Sequence, residues 1–269
     1  FEWLNGSPLV EQCIHIVDKV AWTMNDEAPI AAIANGGRAH REDQSNIYDH
    51  YDVTYEYAGG VYAHVKQRQM MNTHGENIHR VICENGTAVG PWNVFTLDKE
   101  GKKNWRFRKE KGKENNMYQV CHNEFFAALR AGKIVNTGEQ MAKSTALGLL
   151  GREAAHTGKR ITWEDYWKSE EDQAPDDIKF TDSFPVAPVP QPGRERKQTS
   201  HPEHNPPGTS NFLSVHGHPC ALFSPLFFRH GELSAYPAIV TVSPMKSLFP
   251  ALLASTFILS ASGELMPTS

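Results

Sequence analysis

Ser7-Pro-Leu-Val-Glu-Gln-Cys-Ile-His-Ile-Val-Asp-Lys-Val-Ala-Trp-Thr-Met-Asn25 is the segment around which the remainder of the chain is arranged. Ser7 is placed to cap a helix, and Pro8 fits its first turn, where the missing N–H costs nothing. At about 100° per residue, Val10, Cys13, Ile14, Val17, Ala21 and Met24 form one apolar stripe. Glu11, His15, Asp18 and Trp22 form a second stripe at its edge, within an arc of roughly 60°. Gln12, Ile16, Lys19 and Thr23 take the remaining side. A carboxylate, an imidazole and a second carboxylate therefore stack one turn apart at a core boundary. A carboxylate one turn from an imidazole can orient it and support its charged form, which suits the imidazole to general base work near neutral pH. The plainer reading is an amphipathic helix whose histidine and acids face solvent, and the pattern alone leaves both open.

Outward from this helix, Pro29 breaks the pattern and residues 30–39 read as a strand, with Gly36 and Gly37 suggesting a bend or bulge. Residues 49–57 alternate with period two: Tyr51, Val53, Tyr55 and Tyr57 on one face, His50, Asp52, Thr54 and Glu56 on the other. Gly59-Gly60 supplies a turn, and Val61, Ala63 and Val65 alternate with Tyr62, His64, Lys66 and Arg68 on the return. This predicts an antiparallel pair with one buried and one polar face, the helices lying on the tyrosine side. A second hairpin is expected at 79–83 and 87–89 through Asn85-Gly86, with 92–97 and 104–107 continuing the sheet. A helix follows from Met117, with Tyr118, Cys121, Phe125, Phe126 and Leu129 on one face and Gly132-Lys133 as its stop. Thr137 and Gln140 form a capping box for a helix to about His156, whose Ala142, Ala146, Gly148 and Gly151 permit close packing until Gly158 ends it. Thr162 with Asp165 starts one last short helix, and the proline-rich run 185–192 is expected to add little to a core. The fold class expected is α+β: an open, predominantly antiparallel sheet with helices packed on one face, plus a poorly structured C-terminal tail.

The organisation expected is one domain over residues 1–193 and a non-domain tail over 194–269. Residues 199–269 carry five charged residues, against 53 in residues 1–198. The tail is rich in Pro, Ser and His, with apolar bursts at 221–228 and 248–259, the latter too short to span a bilayer and broken by Pro250. Read as non-domain sequence, it suggests a shifted reading frame or a read-through stop codon. The first methionine is Met24, inside the first helix, so the chain is expected to begin within a longer protein and the compartment stays open between cytoplasm and periplasm.

Composition removes several function classes. A formal net charge of −4 gives no electrostatic case for nucleic acid. Eight basic residues within 99–113 are diluted by Glu100 and Glu110, which reads as a solvated hairpin. Cys13, Cys83, Cys121 and Cys220 show no C-x-x-C spacing, so neither a zinc ribbon nor a disulfide framework is indicated. His216 and His218 flank a glycine, weak evidence for a metal site, and none is expected.

The residues Glu11-Gln-Cys-Ile-His15-Ile-Val-Asp18 with Trp22, Asn46-Ile-Tyr-Asp-His50, Gly59-Gly60-Val61 and Glu84-Asn-Gly-Thr87 carry a further signal. So do Phe125 to Lys133 with its Arg-Ala-Gly-Lys ending, Gly158-Lys-Arg-Ile-Thr-Trp163 and Pro185-Val-Ala-Pro188. In this order and spacing they resemble the C-terminal domain of the glucose–fructose oxidoreductase / inositol dehydrogenase (Gfo/Idh/MocA) family, over roughly residues 1–193. The resemblance implies that His15 is the general base that takes a substrate hydroxyl proton as the carbon loses hydride. It implies that Glu11 holds substrate hydroxyls or orients His15, that Asp18 supports the site, and that Trp22 and Arg68 join substrate binding. The family often has Asp where Glu11 stands. It further implies NAD or NADP as cofactor, a sugar, cyclitol or related polyol as substrate, and a homo-oligomer formed through the open sheet face, with neither nucleic acid nor membrane as partner. The family's nucleotide-binding half is not represented: no G-x-G-x-x-G occurs, nor the Glu-Lys-Pro run with the catalytic lysine. The chain therefore resembles a substrate domain without its cofactor domain, unable to transfer hydride alone. An NAD-dependent glycosidase of the same superfamily and a non-enzymatic oligomerisation module are the alternatives.

Overall fold

The computed structural model describes residues 2–91, 93–109, 111–114, 116–174, 186–194 and 238–241. Its centre is the alternating segment. In β2 (His50–Tyr57), Tyr51, Val53, Tyr55 and Tyr57 are buried, while His50, Asp52, Thr54 and Glu56 stay part-exposed. β3 (Val61–Arg68) returns antiparallel with Tyr55 opposite Ala63 and Val53 opposite Val65. On its other side β2 pairs antiparallel with β1 (Ala31–Gly37), and β1 pairs with the two-residue β8 (Ile161–Thr162). β4 (His79–Cys83) and β5 (Gly86–Gly90) form the second hairpin, extended by β6 (Phe95–Leu97) and β7 (Lys103–Arg106). The four-residue β9 (Ala238–Thr241) lies between β3 and β4, antiparallel to the first and parallel to the second. Every other pair is antiparallel, which is the open mixed α+β arrangement expected from the hairpin signals. Beyond Arg194 the tail otherwise lies outside the described residues.

Helices cover the tyrosine face. α1 (Glu2–Asn5), α2 (Pro8–Glu11) and α3 (Ile14–Thr23) come first, then α4 (Met117–Arg130), α5 (Gly138–Thr157) and α6 (Trp163–Trp167); α4 is the exception, since it buries no residue and the expected apolar face of Tyr118, Phe125, Phe126 and Leu129 stays exposed. α5 lies across β1 and β2 and also packs on α2 and α3, closing a core that contains Leu9, Val17, Leu150, Tyr55 and Val53. The small residues of α5 permit that approach. A Cβ built on Gly151 would stand 2.6 Å from Tyr55 Oη and 3.0 Å from Val53 Cγ1. Tyr55, fully buried, satisfies its hydroxyl by donating to the Leu147 carbonyl at 2.9 Å. Gly158, at φ +70°, ends α5 in the left-handed conformation.

Several local expectations are corrected. The first helix is not continuous. Gln12 and Cys13 form a wide turn in which Cys13 N donates to Pro8 O at 2.9 Å, and α3 starts after it. On a straight helix Leu9 would sit roughly 80° from Val17. The turn resets the phase, so both reach the core with no exposure. Ser7 does not cap through its side chain: the residue is buried at φ +91° and makes no side-chain capping bond. Thr137 likewise makes no capping bond, whereas Thr162 Oγ1 accepts from Asp165 N at 3.1 Å as expected. Gly36 and Gly37 make no bulge, since the β1–β2 register runs through them to His50. Gly36 instead allows close approach, because a Cβ there would meet His50 O at 2.8 Å. The proline run also contributes more than expected: Pro190 is buried, Val189 packs on the core, and Tyr48 Oη donates to Pro190 O at 2.8 Å.

Candidate functional site

α3 is amphipathic, so burying Ile16, Val17, Val20 and Ala21 turns His15 and Trp22 outward with Asp18 and Lys19 half-buried at the rim. Asp18 is fixed from below: its Oδ1 accepts from Ser144 Oγ of α5 at 2.6 Å. Ser144 is itself buried, so the carboxylate is tied to a rigid helix. His15 is exposed, and its carbonyl accepts from Lys19 Nζ at 2.9 Å. Glu11 is exposed at the end of α2 and accepts a long 3.5 Å bond from Gln12 Nε2. Among the described residues no hydrogen bond joins Glu11 to His15, because the turn at Gln12–Cys13 removes the regular one-turn spacing between them. Arg68 falls elsewhere. It shares the outer face of β3 with Tyr62, His64 and Lys66, and its Nη2 donates to His74 O at 3.0 Å. The structure thus brings His15, Asp18 and Trp22 together on one helix, with Glu11 at the adjoining end of α2, and leaves Arg68 on the far side of the sheet.

Two residues join this face that sequence spacing did not single out. Lys19 stands four residues after His15 and its Nζ lies 6.0 Å from the centroid of the Trp22 ring. Burial pulls the Lys19 ammonium below its ordinary pKa, and the Asp18 charge partly counters that. His79 lies on the inner face of β4, and its pKa is pushed down to about 4 by burial and then by the Lys19 charge. His79 is therefore neutral at pH 7. The i,i+4 relation of His15 and Lys19 was the available signal for the first; the second comes from a strand far along the chain.

A separate polar cluster is wholly internal. Glu2 Oε1 lies 3.0 Å from His156 Nδ1 and 3.5 Å from Arg152 Nε, and Tyr51 Oη meets His156 Nε2 at 3.1 Å. The Tyr48 ring packs edge-on to His156 with centroids 4.5 Å apart. A carboxylate–imidazole–phenol line of this kind resembles a proton relay, but all its members are buried, so it anchors α1 to α5 and β2. On the opposite, outer face of the sheet, a cavity of about 570 Å³ is lined by residues including Ile33, Asp52, Thr54, His64 and Lys159. There Thr54 Oγ1 and His64 Nδ1 are 2.9 Å apart, and Lys66 pairs with Asp52 at 2.9 Å.

A dinucleotide needs backbone amides at a Gly-rich strand-to-helix turn for its pyrophosphate. The described strands that pair in sequence are joined by hairpins, and the sequence contains no G-x-G-x-x-G, so these residues do not fit a dinucleotide. Among the described residues no cluster of His, Cys, Asp and Glu could hold a metal ion, and no helix is long and apolar enough to cross a membrane.

No family model and no curated protein matches the chain. Solved structures do. One is an oxidoreductase from Agrobacterium radiobacter in complex with NAD+, L-tartaric acid and magnesium, 13% identical over 57% of this chain and 48% of that one, with a TM-score of 0.41. Another is the WlbA dehydrogenase of Bordetella pertussis in complex with NADH and UDP-GlcNAcA, 14% identical over 58% and 44%, TM-score 0.40. A third is a myo-inositol dehydrogenase from Corynebacterium glutamicum, 15% identical over 59% and 50%, TM-score 0.38. The chain spans about half the length of these structures. Likeness at this level concerns the path of the chain, and functional roles rest on the residues themselves.

Proposed function

We propose that this chain is the substrate-binding and catalytic-base half of an NAD(P)-dependent oxidoreductase acting on a sugar, cyclitol or related polyol. The observation that carries the reading is the α3 face: an exposed imidazole one turn before a carboxylate that Ser144 pins to α5 at 2.6 Å. A base must meet its proton with little reorganisation, and a residue on a packed helix satisfies that requirement better than one on a loop. His15 takes the proton of a substrate hydroxyl at a ring nitrogen. Asp18, bonded to Ser144, holds the helix face in place. Glu11, at the end of α2, receives neighbouring hydroxyls, and Trp22 offers an apolar wall to the carbon face of the ring. NAD or NADP would accept the hydride, held by nucleotide-binding elements outside the residues described here.

The outer sheet face supports a homo-oligomer. Ile33 and Tyr62 stand 43% and 44% exposed there, apolar surface that a second copy would cover. The central test is kinetic. In an enzyme that joins this chain to a nucleotide-binding half, His15→Ala lowers kcat by roughly 10²–10⁴-fold with cofactor affinity little changed. Thermal stability of the same variant separates lost chemistry from lost folding. Near-normal turnover by a stable His15→Ala enzyme refutes the assignment.

A further inference from the structure

Lys19 is a half-buried ammonium with three N–H donors, and among the described residues one acceptor is provided, the His15 carbonyl at 2.9 Å. The adjacent Asp18 carboxylate is engaged with Ser144 and makes no ion pair with it. A partly desolvated cation without a bonded anion is costly to maintain, and an incoming anion relieves that cost. On the inner face of β4, His79, whose imidazolium the Lys19 charge disfavours, has an Nδ1 that is buried without a hydrogen-bond partner among the described residues. The His79 ring lies over Gly90 so closely that a Cβ there would come within 2.5 Å of its Nε2, which holds the ring in place. Along an α-helix, residues four apart are separated by about 6 Å, comparable to the distance from a ring hydroxyl to an exocyclic acid group across a sugar.

We propose that Lys19 is a specificity-determining residue that selects an anionic sugar or polyol, whose carboxylate or phosphate pairs with its ammonium while a hydroxyl faces His15 and the ring lies against Trp22. This rests on the reading of His15 as the substrate base. The bonded negative charge would come from the ligand, since among the described residues the neighbouring Asp18 carboxylate is engaged with Ser144 instead.

Calorimetric binding to the full chain at pH 7 tests this with three probes: D-glucose, D-glucuronate and D-glucose 6-phosphate. At least one acidic sugar binds about tenfold or more tighter than glucose, the gain ordinary for a charge-assisted contact. Lys19→Met removes that preference and leaves glucose binding in place, and Lys19→Arg retains it. Whichever acid binds tighter identifies carboxylate or phosphate. As a second readout on the unaltered chain, the His79 imidazole titrates near pH 4 when free and moves upward when the acidic sugar binds, because added negative charge favours imidazolium. Equal binding of the three probes, a preference that survives in Lys19→Met, or an unmoved His79 titration overturns the proposal. The base assignment is read separately, by turnover of His15→Ala, so the two can fail independently.

Discussion

Asp49 offers a quantitative test of how the sheet edge is held. Its carboxylate is fully buried and accepts from the backbone N–H of Ala39 at 2.9 Å, His40 at 2.7 Å and Arg41 at 3.2 Å, and from His50 Nδ1 at 2.8 Å. It thereby fastens the turn after β1 to the first residue of β2. Asp49→Ala leaves those donors without their acceptor. At about 1 kcal/mol for a neutral hydrogen bond and more where the acceptor is charged, the loss is about 3–5 kcal/mol, with water at the part-exposed donors favouring the lower end. Burial pushes the Asp49 carboxyl up, but the hydrogen bonds from His40, His50, Arg41 and Ala39 outweigh it and hold the group below its ordinary 3.8. A carboxyl depressed in the folded state contributes stability that is complete above the unfolded pKa and lost as pH falls through the folded one. The difference between the native chain and Asp49→Ala is therefore full at pH 7 and shrinks below about pH 4. Urea unfolding followed by tryptophan fluorescence at pH 7 and pH 3 measures both quantities. Asp49→Asn, which keeps one acceptor oxygen, loses less, and its stability is flatter with pH. A loss under about 1 kcal/mol at pH 7, or an equal loss at both pH values, refutes the reasoning.

Other consequences are direct. Gly151→Ala forces a methyl to within 2.6 Å of Tyr55 Oη and destabilises by about 1–3 kcal/mol in the same assay. Gly148→Ala meets its nearest atoms at 3.4 and 3.5 Å and gains helix propensity, so it is neutral or stabilising by up to about 1 kcal/mol; a larger loss at Gly148 than at Gly151 contradicts the packing described. Burial raises the Cys13 thiol to about 12, whereas Cys121 is exposed. Iodoacetamide at pH 8 therefore labels Cys121 first and Cys13 upon unfolding, an order that mass spectrometry of peptides reads. Early labelling of Cys13 would place it outside the core.

The hairpins were legible because they are local. Alternation at 50–57 and 61–68 assigned each side chain to a face without reference to the rest of the chain, and burial follows it residue by residue. Gly158 and Thr162 carried their helix boundaries for the same reason: a left-handed stop and a side-chain cap depend on neighbours in sequence. What required the tertiary structure was every choice set by distant atoms. Leu9 competes for the core with the stripe of α3, and that competition opens the turn at Gln12–Cys13 and separates Glu11 from His15. The partner of Asp18 is a serine 126 positions away, and the histidine whose pKa the Lys19 charge lowers stands on β4. Pro190 becomes part of the core because Tyr48, 142 positions earlier, has a buried hydroxyl to satisfy. Local periodicity thus determined which faces are apolar, while the need to fill the core and pair every buried polar atom decided which polar groups meet on them.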